Sequence, residues 1–343
     1  MTAAGTDAQD AKKADHDALT DHDVPEADRE VPRRWQSLGL PGLVDVHVHV
    51  MPQRLLDKVW AYFDAAGPLI GRPWPITYRW SQERRLQHLR DLGVRAFPTL
   101  LYPHKPQMAA SLNDWARDFA REQRAAGHTD VLQTATFLPE PRAAAYVERA
   151  LGEGARVFKV HVQVGGFDPR DPLLDPVWGM LADAGVPAVV HTGSGPRAGA
   201  FTGPGPFGQV LARHPGLTAV IAHMGMPEHA EFLHLAECYA NVHLDTTMVF
   251  VDFFDGAQAQ TDLARSLAPR LAALQDRVLL GTDFPNIPYA YAHQIEVLAR
   301  TGLDDDWMRA VLWHNGARLF DIAADAAGPA VRDASDRPAA PAS

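Results

Sequence analysis

Two histidines, His47 and His49, sit one residue apart in the apolar run GLVDVHVHVMP. Side chains alternate faces along a strand, so both imidazoles point the same way, and Asp45 shares their face. Three more polar residues end apolar runs just before a Gly or Pro break: His191 in AVVHTG, His223 in VIAHMG and Asp283 in LLGTDFP. Burying an imidazole or a carboxylate at such a place is unfavourable unless it is paired or bound to a metal. The H-x-H doublet alone leaves a core reading and a metal reading open. Five such residues at one rim favour the metal. Nitrogen donors with a carboxylate suit one divalent ion, Zn²⁺ first and otherwise Mn²⁺, Fe²⁺, Co²⁺ or Ni²⁺.

Weaker signals surround this set. Lys159 and His161 share a face of VFKVHV, where the lysine could bind an anionic substrate group or pair with Asp45. Arg197 lies in the Gly-rich stretch HTGSGPRAGAFTGPGPFG and could grip a substrate carboxylate as a bidentate fork. His104 in LYPHKP could line the mouth of a site. His243 and Asp245, on one face of NVHLDTT, could orient a ligand histidine from behind. Asn315 and Gly316 in WHNGARLF read as structural, and so does the neighbouring His314.

The elements that must position these residues are short β-branched runs alternating with helix-period segments. Eight strands are predicted, at residues 43–49, 94–101, 131–138, 156–162, 187–191, 217–223, 242–246 and 278–282. Alternation with helices implies parallel strands, and eight is the number that closes a (β/α)₈ TIM barrel. An open doubly wound sheet is the rival, but DVHVHVMP stands where a Gly-rich dinucleotide turn belongs. The first strand-to-strand connection is long and aromatic, with Trp60, Tyr62, Phe63, Trp74, Tyr78 and Trp80. It reads either as an insertion packed on the barrel rim or as a wall over a substrate pocket. The barrel is expected over residues 36–324, between a disordered acidic tail at 1–35 and a second Ala/Pro/Ser-rich tail at 325–343.

The formal net charge of the 343-residue chain is −10, and no basic stripe is present, which excludes nucleic acid as the main partner. Nine acids and three bases among residues 1–32 place six of those negative charges in the first tail. A single cysteine, Cys238, precludes an intrachain disulfide, so a cytoplasmic protein is expected. The N-terminal stretch has no apolar signal core, and no 18-residue apolar run is present, so neither export nor a membrane partner is expected.

H-x-H after the first strand, His after the fifth and sixth, and Asp after the eighth resemble the amidohydrolase superfamily. The details VDVHVHVMP, FKVHV, VVHTGSG, VIAHMG and GTDFP are similar to its amidohydrolase-related branch, which includes the aminocarboxymuconate semialdehyde decarboxylase-like proteins. The likeness spans roughly residues 40–321. It implies His47, His49, His191 and Asp283 as metal ligands, with Asp283 also handling the proton of the bound water. It implies His223 as the residue that polarises or protonates the substrate, or else as a ligand to a second metal. Binuclear relatives bridge two ions with a carboxylated lysine, which would make Lys159 a ligand; one ion is the preferred reading. The implied activity is hydrolysis of a small amide, ester or lactone by metal-activated water. The alternative is non-oxidative decarboxylation of a small carboxylated substrate, aromatic or muconate-like. A non-catalytic binding role is the minor alternative. A homodimer is suggested by the resemblance alone.

Overall fold

A computed structural model describes residues 24–323. Its strands are β1 (Leu43–Val44), β2 (Val94–Pro98), β3 (Val131–Leu132), β4 (Thr134–Thr136), β5 (Val157–His161), β6 (Ala188–His191), β7 (Ala219–Ile221), β8 (Val242–Asp245) and β9 (Val278–Leu279). Every neighbouring pair is parallel, in the orders β1-β2-β3 and β4 to β9. The strands are buried on both faces, as Val/Ile/Leu/Ala runs under a layer of helices must be.

The ring closes through backbone hydrogen bonds between its first and last members. Val46 N–H donates to Leu280 O (2.8 Å), Asp283 N–H to His47 O (2.8 Å) and His49 N–H to Phe284 O (2.7 Å), around a parallel bridge of Val48 with Phe284. The result is the expected eight-stranded barrel, with one predicted strand in two pieces. That break falls at Gln133. Beside it Thr99 N–H donates to the Thr134 hydroxyl (2.9 Å) instead of to a ladder carbonyl, so β3 pairs with β2 and β4 with β5.

All the predicted strands run shorter than expected, and in three of them the chain leaves the ladder before it reaches the candidate site residues. The first leaves its regular ladder after Val44, where His47 N–H donates to the Asp45 carboxylate (3.0 Å) instead of to a neighbouring strand. The sixth stops at Ile221, and His223 falls in a 3₁₀ turn, Ala222–Gly225. The eighth stops at Leu279, four residues before Asp283.

Residues 26–35 of the first tail, expected to be disordered, are not. Glu26–Glu30 and Val31–Ser37 are helical, and Val31 and Trp35 are buried. The count of large apolar residues undervalued one indole: Trp35 lies over Gly93, where a Cβ would stand 2.5 Å from the ring nitrogen, and donates to Leu92 O (3.0 Å). The carboxylate of Asp28, also buried, accepts hydrogen bonds from Tyr78 OH (2.6 Å), His88 Nε2 (2.9 Å) and Ala292 N–H (2.9 Å). The remainder of that tail and the whole of 325–343 lie outside the described residues. Among the described residues no helix is long and apolar enough to cross a membrane. At the barrel base, Asn315 donates to Gln275 O and Val278 O, and Gly316 packs on Val44, the structural roles expected of both.

Removing the Asp28 carboxylate strands three buried donors. Asp28→Ala is expected to lower the unfolding free energy by about 2–4 kcal/mol, read as a shift of the urea midpoint. An unshifted midpoint would show that the segment before β1 is not part of the cooperative fold.

Candidate metal centre and its pocket

The closing seam between β1 and the segment after β9 sets His47, His49 and Asp283 side by side at the C-terminal mouth of the barrel. One donor atom from each lies within 4.8 Å of the others, and all three residues are buried. Asp283 adopts φ +67°, a left-handed conformation that Asp tolerates better than most residues, and His223 adopts φ +56°. Such backbone costs roughly 1–3 kcal/mol at each non-glycine position. A side chain cannot be added beneath them: a Cβ on Gly281 would stand 2.3 Å from Thr247 Oγ1 and 3.0 Å from His47 Cβ.

Hydrogen bonds on the outer ring nitrogens decide what the inner ones can do. His47 Nδ1 donates to Asp245 Oδ2 (2.8 Å), and His49 Nδ1 donates to Leu100 O (2.7 Å). In its neutral form each imidazole therefore carries its lone pair on Nε2. Those lone pairs meet Asp283 Oδ1, at 2.7 Å from His49 Nε2 and 3.4 Å from His47 Nε2. Electron pairs facing each other at this range repel unless a positive charge lies among them: a proton, a metal ion or the Lys159 ammonium, whose Nζ stands 3.1 Å from His47 Nε2. Donors around a tetrahedral ion stand about 3.3 Å apart, given metal–ligand bonds near 2.0–2.1 Å. One of these separations already matches, and the other must open by roughly half an ångström.

The charge states fit an ion. Burial, reinforced by Lys159, lowers the His47 pKa to about 4, so its ring is neutral at neutral pH. Burial alone would raise Asp283, but His49, His47 and His223 outweigh it and hold the carboxylate ionised far below its usual range. Asp245 is depressed in the same way by His47. Its second oxygen accepts from His223 N–H (2.8 Å) and Thr247 N–H (3.1 Å), so one carboxylate orients His47 and pins the turn that bears His223. The expected supporting role thus falls to Asp245. His243, expected to share it, is half-buried towards the other end of the strand, where burial, reinforced by Arg318 and Arg277, lowers its pKa to about 4.

His191 and His223 complete a wall of imidazoles. The β5–β6 register pairs His161 with His191, and their rings stack at 3.9 Å. The His223 ring lies 5.1 Å from His47 and 4.7 Å from His191. Burial lowers His223 to about 4, and its Nδ1 has no hydrogen-bond partner. His191 Nε2 donates to Gly195 O (3.2 Å), which leaves Nδ1 as its electron-pair donor, and neither ring nitrogen joins the three-residue cluster. Sequence spacing placed His191 at the correct strand tip but could not show which way its ring turns.

Lys159 is also at this floor, buried, and burial lowers its pKa to about 8. Its Nζ donates to His47 Nε2 (3.1 Å) and does not pair with Asp45. Asp45 accepts instead from Thr282 Oγ1 (2.6 Å) and Tyr291 OH (3.0 Å), and burial raises its pKa to about 7.

Above this floor opens a cavity of about 570 Å³. The long first connection divides between its two expected roles. Its helices Gln53–Ala65 and Gly67–Ile70, with Phe63 stacked on Trp74, form a wall of the cavity. Tyr78 and Trp80 instead pack beneath it against His88. His104 lines the outer mouth as expected. Arg197 does not line the cavity; the side chain is exposed on its loop, where only its backbone carbonyl is engaged, by Gln163. A Gly-rich loop permits close approach to a ligand, but here Gly193, Gly195 and Pro196 make that approach, ahead of the arginine. The residue reading missed Tyr102, whose ring packs on both His49 (5.8 Å) and His161 (4.8 Å). It follows Leu100, the His49 acceptor, by two positions in TLLYPHKP, and period-two spacing could have flagged it.

A family model described as amidohydrolase matches residues 44–322. No curated protein matches the chain. Among solved structures, an uncharacterised TIM-barrel protein from Bordetella bronchiseptica is 21% identical, with TM-score 0.61, over 84% of this chain and 100% of that one. A 5-carboxyvanillate decarboxylase from Novosphingobium aromaticivorans, complexed with manganese and 4-hydroxy-3-methoxy-5-nitrobenzoic acid, is 13% identical, with TM-score 0.57, over 83% and 97%. A probable 2-pyrone-4,6-dicarboxylic acid hydrolase from Acinetobacter baumannii is 12% identical, with TM-score 0.56, over 82% and 100%. At these identities the solved structures establish the TIM-barrel fold alone.

Asp245→Asn keeps the shape but removes the charge behind His47. It is expected to weaken divalent-metal affinity by about 10–100-fold, measured by competition with a chromophoric chelator. Unchanged affinity would show that Asp245 does not support the ligand.

Proposed function

The chain belongs to this amidohydrolase family, and on that premise we propose that it is a metal-dependent hydrolase of a small amide, ester or lactone. The observation that carries the reading is the meeting of the lone pairs of His47 Nε2, His49 Nε2 and Asp283 Oδ1, with both outer nitrogens already engaged. These three residues would hold one divalent ion, zinc or manganese, and leave room for water in a further position. His191 is the fourth candidate, on condition that its ring moves toward the other three donors. A bound ion would lower the pKa of a coordinated water to about 7 and polarise an acyl carbonyl.

The chain's own groups manage the protons. Asp283, ionised at neutral pH, can take a proton from the attacking water and return it to the leaving nitrogen or oxygen, so that water adds across the acyl bond. His223, neutral, beside His47 and with its Nδ1 unpartnered, could hydrogen-bond the substrate oxygen on which charge develops.

Lys159 favours a second reading. An ammonium at the floor beside His47 could hold a substrate carboxylate, and a proton would then replace CO₂ at the carbon that bore it. The fold hosts both reactions and does not choose between them.

A panel of esters, amides, lactones and carboxylated aromatics, followed for both acid release and CO₂, separates the two. Acid without CO₂ is expected, with activity lost in EDTA and restored by Zn²⁺ or Mn²⁺. Asp283→Asn is expected to lower kcat by about 10²–10⁴-fold. CO₂ from the carboxylated aromatics, with esters, amides and lactones untouched, would overturn the hydrolase in favour of the decarboxylase.

A further inference from the structure

The wall helix Gln53–Ala65 carries two apolar stripes. Leu56 and Trp60 are buried in the core. Leu55, Val59 and Phe63, spaced four apart, face the cavity together with Tyr62. A helix needs one apolar stripe to dock on a barrel. The second is continued along the cavity by Leu69, Ile70 and Trp74 and is met from across it by Val164 and Phe254. Four large apolar residues are strongly exposed among the described residues, and three of them, Tyr62, Leu69 and Val164, stand on this one mouth. Concentrated exposure of this kind marks a surface that something apolar covers.

The charged groups are as selective. No arginine lines the cavity among the described residues, so the fork that grips carboxylates in pairs is missing. The cations that do line it are Lys159 at the floor and Lys58 at the mouth, on the wall helix itself and near His104 and Lys105. Among the described residues no acidic partner pairs with Lys58, His104 or Lys105. In a chain with a formal net charge of −10, this is a local cationic rim above an apolar wall.

We propose that the substrate is amphiphilic: its scissile group reaches the His47–His49–Asp283 floor, an extended apolar chain or aryl body lies along the Leu55–Val59–Phe63–Ile70 stripe, and one anionic group meets Lys58 and His104 at the mouth. This rests on the cavity being the active site. It excludes the small, densely carboxylated substrates that an arginine-rich pocket would hold. The cavity lies within the roughly 300–1,000 Å³ of ordinary small-molecule sites, enough for such a body.

The test is binding, read by calorimetry on the metal-loaded full chain. The probes are hexanoate, octanoate and decanoate, with decanol and glutarate as comparisons. Affinity should rise by about fourfold per added methylene, and glutarate should bind more weakly than hexanoate. Leu69→Asp and Val59→Asp, at partly or largely exposed positions, should each weaken decanoate at least about tenfold while the unfolding midpoint holds. Lys58→Ala should weaken decanoate and leave decanol unchanged. A flat chain-length series, tighter binding of glutarate, or unaltered decanoate affinity in both apolar-stripe variants would overturn the apolar body. Unaltered decanoate affinity in Lys58→Ala would overturn the anionic end. Turnover is not needed for these readings. An inactive protein with the full chain-length series would refute the hydrolase alone, and an active one with a flat series would refute this inference alone.

Discussion

Three electron-pair donors converge on one point, and the fold prevents two of them from turning away. His47 is held from behind by Asp245, and His49 by the carbonyl of Leu100, so neither ring can offer a proton on its inner nitrogen without becoming charged. Asp283 is brought against both by its own backbone, which donates to the carbonyl of His47. The arrangement therefore calls for positive charge at a fixed place, one that the Lys159 ammonium already approaches, 3.1 Å from His47 Nε2. The seam between the first and last strands carries this candidate ligand set.

Other local irregularities follow from the same demand. The first strand leaves its ladder so that Asp45 can take the His47 amide, and Asp45 in turn is fixed by Thr282 and Tyr291. The chain at His223 and Asp283 occupies left-handed backbone where extended strand would have been easier. Such strain persists only where surroundings over-determine it, and here Asp245 holds one of these residues and the closing seam the other. Through Tyr291 and Tyr78 the polar network reaches Asp28, so the short segment ahead of the barrel is tied to the strand that bears the ligands.

Much of this was legible in the residues. Parallel-strand runs announce themselves by β-branched content, and the polar residue at the end of each run marks the mouth, which located His47, His49, His191, His223 and Asp283 together. Asp245 was visible through period-two spacing, but the same spacing offered His243 equally, and only depth along the barrel separates them. Ring orientation was not legible: His191 sits at the predicted tip yet turns its Nε2 to Gly195. Loop side chains were the least legible. Arg197 had the right chemistry for a carboxylate, but a Gly-rich loop carries no periodicity from which a direction can be read. The second apolar stripe of the wall helix was present in the sequence, hidden because core-facing and cavity-facing stripes look alike until the barrel shows which one it packs against.

The central claim is that a divalent ion occupies the point where the three lone pairs meet. Anomalous diffraction from crystals grown with Mn²⁺ tests it most directly. The account predicts one strong peak about 2.0–2.3 Å from each of His47 Nε2, His49 Nε2 and Asp283 Oδ1, with the Asp245 and Leu100 hydrogen bonds retained. Metal-saturated crystals with no peak there, and with His49 still bonded directly to Asp283, would contradict it.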